Sequence, residues 1–189
     1  MKYFIVGLNA SGKQAVCSDL RALGVNVGSI FRSVDKIPND TYSLSEVVYG
    51  EHDIDSIFEN HSYIFFDKNT QSSVSFFEGL SLYEYENNDV FMITPHQFNL
   101  ISQFDKDVLF IWLDGSIIQR RDRFIDERRK YNFLRIDHMD KDEILDFSTR
   151  ISEHDYIYFN NEEPSRVSAI IYSMVTYPEL HNIYKERFN

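Results

Sequence analysis

The sequence has few of the features that define several large classes of protein. Its 189 residues include one cysteine, Cys17, so the chain cannot form an internal disulfide, and a reducing compartment is expected. No apolar run approaches the ~20 residues that a membrane-spanning helix needs. The first residues also lack the small-residue cleavage site of a signal peptide. These absences predict a cytoplasmic protein with no membrane partner.

Basic side chains are also scarce. The sequence has 19 Lys and Arg against 30 Asp and Glu, which gives a net charge of −11. This excess argues against nucleic acid as a partner, although a local basic cluster could still bind a small anion. The 6 histidines show no metal-binding spacing. Neither a Ser-His-Asp arrangement nor a glycine-rich dinucleotide fingerprint is present. Hydrolase and dehydrogenase functions are therefore disfavoured. A small-molecule ligand is expected, and so is a monomer or homodimer.

Aromatic residues are abundant, with 16 Phe and 12 Tyr, and they favour a well-filled core. Short apolar runs alternate with helical patterns of about 10–15 residues, which predicts an α/β fold. We expect a three-layer sandwich with a mostly parallel sheet in a single domain, 1–189. The strand runs are 3–6, 25–27, 61–67, 90–93, 108–113 and 156–159, and residues 71–86 favour a helix.

Ligands of such sheets bind beyond the carboxyl ends of the strands. The residues at these predicted ends are Gly7, Arg32, Asp67, Thr94, Asp114 and Asn160. They are expected to share one edge.

The most informative stretch is residues 7–13, GLNASGK, between the first predicted strand and the first predicted helix. Its G-x-x-x-x-G-K spacing is typical of a phosphate-binding loop, in which glycines turn the backbone so that N–H groups face an anion. Lys13 would reach the β- and γ-phosphates. The donor nucleotide would contact Gly7, Asn9, Ala10, Ser11, Gly12, Lys13 and Gln14. The alternative is a glycine-containing turn beside a surface lysine.

A second feature is a cluster of cations in an otherwise acidic chain, Arg120, Arg121, Arg123, Arg128, Arg129 and Lys130. Phosphoryl transfer needs fixed positive charge around the transferring oxygens, and arginine binds phosphate bidentately. We interpret the cluster as part of a phosphate clamp. A solvated helix, with its arginines paired to nearby Asp and Glu, is the alternative.

Two further residues have open interpretations. Arg32, at the end of an apolar segment, could hold an acceptor phosphate or lie on the surface. Asp67 follows four apolar or aromatic residues, a pattern of carboxylates that act on Mg²⁺ through water. It could instead cap the next helix. Gln14 stands where a hydroxyl usually touches Mg²⁺, so Gln14 and Asp67 are the candidates for indirect metal binding.

The order of these parts resembles the guanylate kinase-like nucleoside monophosphate kinases. Residues 7–13 match that family's phosphate loop, and residues 25–32 look like its segment ending S-x-x-R. Residues 89–94 occupy the place of its central strand. Residues 108–123 are similar to the strand and helix that lead into its lid, and residues 146–161 to its R-L helix and following strand.

The resemblance implies ATP and Mg²⁺ as cofactors, a monophosphate-binding insert at about 32–67 and a lid at about 120–137. The lid and helix arginines would grip the phosphates, and Asn160 would lie near the adenine. The clamp would comprise Arg120, Arg123 and Arg150. The acceptor would be held by Ser29, Arg32, Tyr49, Phe66, Asp67 and Thr94.

Some positions depart from the family pattern. Gln14 replaces the Mg²⁺-touching hydroxyl, Thr94 stands where the central strand ends in Asp-x-Asp, and a second acceptor-binding arginine after Arg32 is absent. Two functions are therefore expected. The first is transfer of the ATP γ-phosphoryl group to a nucleoside or deoxynucleoside monophosphate with an altered or modified base. The alternative is a catalytically inactive, nucleotide- or protein-binding module.

Overall fold

A computed structural model describes residues 1–8, 10–28, 30–34, 63–71, 74–102, 107–116, 118–120, 122 and 141–188. For residues 31–34, 63–78 and 141–143 the description is of the backbone, with 72–73 left out. The contacts divide the chain into two compact units. One comprises Met1–Val27 and Asp89–Asn189, and the other is Gly28–Asn88.

In the first unit, four described strands form a parallel sheet in the order β5-β1-β6-β7. They are β1 (Lys2–Val6), β5 (Val90–Ile93), β6 (Val108–Asp114) and β7 (Tyr156–Asn160). Val6 pairs with Ile93 on one side and with Trp112 on the other. Asp114 pairs with Asn160 at the last position of β6 and β7. All four strands therefore run in one direction, and their carboxyl ends meet at one edge.

Helices connect these strands. They are α1 (Lys13–Ala22), α3 (Pro95–Ile101), α4 (Lys141–Ile151), α5 (Pro164–Thr176) and α6 (His181–Phe188), with a 3₁₀ turn at Pro178–Leu180. The sequence explains where two of these helices begin. Pro95 and Pro164 occupy the first helical turn, where a missing N–H costs nothing. Thr94 and Gln97 form a capping box at the start of α3.

The core lies on both faces of this sheet, because successive side chains of a strand point in opposite directions. On one face, Ile5 and Ile111 pack in a buried cluster with Leu20 of α1 and Ile171 of α5. On the other face, Phe4 stacks on Phe91 at 5.0 Å. Phe98 of α3 meets Phe110 at 4.7 Å and Phe147 of α4 at 5.3 Å, both edge to face. Helices thus cover both faces, which confirms the predicted α/β fold with a mostly parallel sheet.

The second unit holds a separate three-stranded antiparallel sheet in the order β2-β4-β3. Its elements are β2 (Phe31–Val34), β3 (Tyr63–Gln71), β4 (Val74–Ser81) and a short helix α2 (Leu82–Asn87). The side-chain oxygen of Ser81 accepts a 3.1 Å hydrogen bond from Glu84 N and caps α2. The prediction of one domain over residues 1–189 stays a prediction.

Three local predictions differ from the structure. Residues 71–86 do not form one helix, because 74–81 pair with β3 and a helix begins at Leu82. Residues 25–27 do not form a full strand, since Val27 makes an isolated bridge to Val90. Asp67 does not end a strand of the parallel sheet, because it pairs with Glu78 inside β3.

Candidate functional site

The loop between β1 and α1 turns at two glycines. Gly7 is buried, and a Cβ atom added there would stand 2.5 Å from the Leu113 carbonyl oxygen and 2.7 Å from Ser11 Oγ. Gly12 adopts φ 101°, a left-handed conformation in which glycine is unstrained. Both positions therefore require glycine, one for space and the other for conformation.

Ala10 also lies in the left-handed region, with φ 60°, and the Ser11 N–H donates 3.2 Å to the Leu8 carbonyl. A left-handed alanine costs on the order of 1 kcal/mol, so the loop holds backbone strain. Gly12 at the N-cap carries no side chain that could satisfy the first N–H groups of α1. A helix amino end that follows a glycine turn favours anions.

Lys13 folds back over this loop. Its side chain is 8% exposed, and its Nζ donates to the carbonyl oxygens of Gly7 and Leu8, the latter at 2.7 Å. An ammonium group is costly to bury without such partners. The alternative of a surface lysine beside a glycine turn is therefore not what the structure shows.

The sheet brings other predicted residues to the same edge. Thr94 directly follows Ile93, the partner of Val6, so it stands beside the start of the loop. Its Oγ1 accepts 3.2 Å from Gln97 N, and its own N–H donates 2.9 Å to Gln97 Oε1. Gln14, the second residue of α1, is exposed. Thr94 therefore caps a helix here, and Gln14 faces solvent.

The ends of β6 and β7 are joined by hydrogen bonds. Asp114 Oδ1 accepts 2.7 Å from Gly115 N, and Oδ2 accepts 3.0 Å from the Tyr158 hydroxyl. The Asn161 N–H donates 3.1 Å to the Asp114 carbonyl, while Asn161 Oδ1 accepts 3.1 Å from Ser116 N. Burial, together with the Asp114 charge and hydrogen bond, raises the pKa of Tyr158 to about 12. Asn160 is exposed beside these residues.

A narrow surface cleft lies between the loop and these strand ends. Ser11, Leu113 and Asp114 line one part of it, and Phe159 and Glu162 another. The lining thus combines the acidic residues Asp114 and Glu162 with apolar residues and with Ser11 of the loop.

The two described clamp arginines have other partners. Arg120 is buried at 5% exposure, and its Nε donates 3.2 Å to the Gly115 carbonyl. Arg150 hydrogen-bonds Asn99 of α3 and forms a 2.5 Å ion pair with Asp146 one turn earlier. Arg150 lies in the last turn of α4, toward the amino ends of the strands. The structure therefore places Arg120 beside the end of β6 but does not bring Arg150 to the loop.

The remaining predicted site residues fall elsewhere. Arg32, Phe66 and Asp67 belong to strands of the second unit, in the antiparallel sheet. The argument that Arg32 and Asp67 share the edge of the parallel sheet is therefore wrong. Asn9, Ser29, Tyr49 and Arg123 lie outside the described residues. Their binding roles stay predictions.

The site fits phosphate better than it fits a metal. The described residues contain no group of three or more His, Cys, Asp or Glu side chains placed to hold a metal ion. At the loop, the exposed amide oxygen of Gln14 is of the type that Mg²⁺ accepts, and Mg²⁺ is commonly held by substrate phosphates and water rather than by a protein cage. Gln14 could thus complete such a shell.

The sequence pattern identified the loop but not the hydrogen-bonded group of residues that links the ends of β6 and β7. Its members are Tyr158, Asn161, Gly115 and Ser116. The pairs Asp114-Gly115 and Asn160-Asn161 were visible as strand ends, yet their pairing depends on the register of two strands.

The fold and loop together define an α/β protein with a strand–loop–helix arrangement at the carboxyl edge of its central strand. No family model matches the sequence, and no curated protein matches it. Among solved structures it is similar to guanylate kinase from Anaplasma phagocytophilum, with TM-score 0.55 and 11% identity over 95% of this chain and 86% of that chain. A sugar kinase from Janibacter sp. HTCC2649 gives TM-score 0.44 and 10% identity over 93% of this chain and 95% of that one. The first likeness shows the fold alone.

None of the helices in the described part of the chain has the length and apolar character needed to cross a membrane.

Proposed function

We propose that this protein is an ATP-dependent nucleoside monophosphate kinase, which transfers the γ-phosphoryl group of ATP to a nucleoside or deoxynucleoside monophosphate. The observation that carries the proposal is the placement of Lys13. Its ammonium group is buried over a glycine-turned loop at the amino end of α1, beside the central strand. The fold shared with a guanylate kinase supports the same proposal.

The loop would act by binding and orienting the phosphates. Backbone N–H groups at the start of α1 would receive phosphate oxygens, and Lys13 would exchange its bonds to Gly7 and Leu8 for bonds to the β- and γ-phosphates. This exchange is feasible because the ammonium group already lies over the loop. The chemistry then needs positioning and positive charge rather than a covalent intermediate.

Binding of Mg²⁺ would depend mainly on the phosphates of the substrate. Mg²⁺ would neutralise charge on the phosphates, and Gln14 would be its ligand from the protein at this loop, with Asp67 a further candidate. Arg120 and Arg123 are the proposed clamp, and Arg150 would have to leave Asn99 and Asp146 in order to join it. The hydrogen bond from Arg120 Nε to the Gly115 carbonyl, just after β6, supports the assignment of Arg120.

The acceptor would be a nucleoside monophosphate held by Ser29, Arg32, Tyr49, Phe66, Asp67 and Thr94. The departures from the guanine-reading pattern support an altered or modified base. The protein is proposed to work in the cytoplasm, as a monomer or homodimer, without nucleic acid or membrane partners.

The test is ADP formation from ATP and Mg²⁺ with a panel of ribo- and deoxynucleoside monophosphates, including base-modified ones, alongside calorimetric measurement of ATP affinity. Acceptor-dependent ADP formation supports the kinase. ATP binding without turnover on any acceptor contradicts it, and no ATP binding contradicts every nucleotide-based function.

One observation favours a second candidate, a catalytically inactive nucleotide- or protein-binding module. Thr94 occupies the position of a metal-handling carboxylate, and its hydroxyl is engaged in capping α3. A module of this kind would retain ATP affinity that depends on Lys13 but would release no ADP, so the same assay separates the two functions.

A further inference from the structure

We propose that Asp114 is a positioning residue, which, together with Tyr158, fixes the segment that carries Gly115, Ser116 and Arg120 against the end of β7. The inference rests on the proposed function, because this segment carries Arg120 and leads into the predicted lid. Asp114 would touch neither substrate nor metal. It would set the direction in which the arginine-bearing segment leaves the sheet.

The contacts of the Asp114 carboxylate carry the first step. Its two oxygens accept from different elements, Oδ1 from Gly115 N at 2.7 Å and Oδ2 from the Tyr158 hydroxyl at 3.0 Å. Tyr158 belongs to β7, and Gly115 begins the segment that follows β6. Hydrogen bonds to an ionised acceptor are stronger than neutral ones. One carboxylate therefore ties the exit of β6 to the neighbouring strand.

A second set of bonds fixes the next residues. Asn161, at φ 57°, donates its N–H to the Asp114 carbonyl and accepts from Ser116 N at 3.1 Å. Gln119 N then donates 3.2 Å to Ser116 Oγ, which starts a helical turn. Ser116, the first residue of that turn, is bonded to Asn161 through its N–H and to Gln119 through its side chain. These two contacts set the direction of the turn.

Arg120 completes the arrangement. Its N–H donates 3.0 Å to the Ser116 carbonyl, and its buried Nε donates 3.2 Å to the Gly115 carbonyl. Gly115 is thus held by its N–H through Asp114 and by its carbonyl through Arg120. Loss of the Asp114 carboxylate would release one end of this arrangement.

The segment starts next to the phosphate-binding loop. The Leu113 carbonyl lies 2.5 Å from where a Cβ of Gly7 would stand, and Asp114 and Ser11 line the same cleft. A small change in the direction in which Gly115 and Ser116 leave the sheet would misplace Arg120 relative to the loop. Burial, and then the charge and hydrogen bond of Asp114, raise the pKa of Tyr158 to about 12.

The experiment compares Asp114→Ala, Tyr158→Phe and their double variant with wild type. Tyr156→Phe is the control, since it removes a hydroxyl from the same strand two residues earlier. Amide exchange of Gly115 and Ser116 is measured by NMR without nucleotide, and kcat, KM and ATP affinity are measured in the kinase assay. Thermal melting confirms that each variant is folded, and Asp114→Asn is the conservative variant should Asp114→Ala fail to fold.

We expect the Gly115 amide to exchange about tenfold faster in Asp114→Ala. We expect kcat to fall about 10- to 100-fold, as for misplaced catalytic groups, while ATP affinity changes little. Tyr158→Phe should act in the same direction to a smaller extent. The double variant should resemble Asp114→Ala, because the two side chains act as a unit. Asp114→Asn should keep more kcat than Asp114→Ala.

Unchanged exchange at Gly115 in a folded Asp114→Ala protein overturns the inference, as do faster exchange with unchanged kcat and strictly additive effects. A loss confined to ATP affinity also overturns it, since it would make Asp114 a binding residue. Wild type that transfers no phosphoryl group contradicts the proposed function instead, and the exchange rates then still decide whether Asp114 fixes the segment.

Discussion

Lys13 Nζ donates a 2.7 Å hydrogen bond to the carbonyl oxygen of Leu8, in the loop that precedes its own helix. The ammonium group also bonds the Gly7 carbonyl, so the lysine is held in place before any anion arrives. A nucleotide must therefore compete with these two carbonyls, whose geometry keeps the charge over the loop. The substitutions below separate the role of this charge from the role of the loop's shape.

Lys13→Ala should lower kcat/KM at least 100-fold, about 2.7 kcal/mol of transition-state stabilisation. Charge over the phosphates would be lost while the backbone N–H groups remain. The measurement is steady-state kinetics with the best acceptor. Lys185→Ala is the control, because Lys185 is a partly exposed lysine paired with Asp155. Activity of Lys13→Ala within tenfold of wild type contradicts the assigned role.

Gly7→Ala should both destabilise the protein by about 1–3 kcal/mol and weaken ATP binding, because the new methyl group meets a backbone carbonyl that cannot move freely. Gly24→Ala is the matched control. An alanine at this position, with φ +85°, would be strained by about 1 kcal/mol, but its Cβ would have no atom within 4 Å. Only stability should therefore change. Urea unfolding and ATP titration of both variants test this, and equal effects on ATP affinity would exclude a special role for Gly7.

Stability should fall as the pH drops below 6.5, the ordinary value for histidine, because His181 is protonated more readily in the unfolded chain. Burial, and then the amino-terminal charge, lower the pKa of His181, while Asp107 opposes them. Its Nε2 contacts the hydroxyl of Tyr3, which donates to the Met174 carbonyl at 3.0 Å. Below its unfolded pKa, the folded state binds fewer protons and loses stability down to its folded pKa.

Urea unfolding at about pH 7.5 and about pH 5.5 measures this dependence. His181→Gln should flatten it, whereas Asn182→Gln, at the neighbouring exposed position of α6, should leave it as in wild type. A wild-type slope retained in His181→Gln would assign the dependence to other groups.

Phe98→Ala should cost about 3–5 kcal/mol of unfolding free energy, since the ring is buried and packs edge to face on two other phenylalanines. Tyr83→Ala, at a 71% exposed position, should change stability by no more than about 0.5 kcal/mol. Chemical denaturation of both variants makes the comparison. A small loss for Phe98→Ala would mean that the sheet face is packed less tightly than described.

The parallel sheet was predictable because its strands are short apolar runs without alternation, such as residues 108–113. The second unit was not. Phe76 and Leu80 are four apart, a spacing that fits one helix face and also one face of a strand. Only pairing with distant residues of β3 decides between them. Asp67 was misplaced because the polar residues after it disguise the continuation of β3 to Gln71.

The candidate site also has one part that could be predicted from the sequence and one part that could not. Lys13 and its glycines were identified from spacing alone, since a contiguous loop contains the whole arrangement. The hydrogen bonds that link Asp114 to Tyr158 and Asn161 depend on the register of β6 and β7, which the sequence does not reveal. A charge pattern also cannot say which arginine of a cluster turns inward, and Arg120 does so.

The position of β1 has a consequence for synthesis of the chain. β1 is made before both of its neighbours, β5 and β6, which come from far later residues. The carbonyl of Leu113 that lies against Gly7 is available only after the chain has been synthesised through β6. Non-local parallel pairing of this kind folds slowly and leaves apolar segments exposed meanwhile. Nascent chains that end before residue 108 should therefore have no nucleotide affinity and should depend on chaperones.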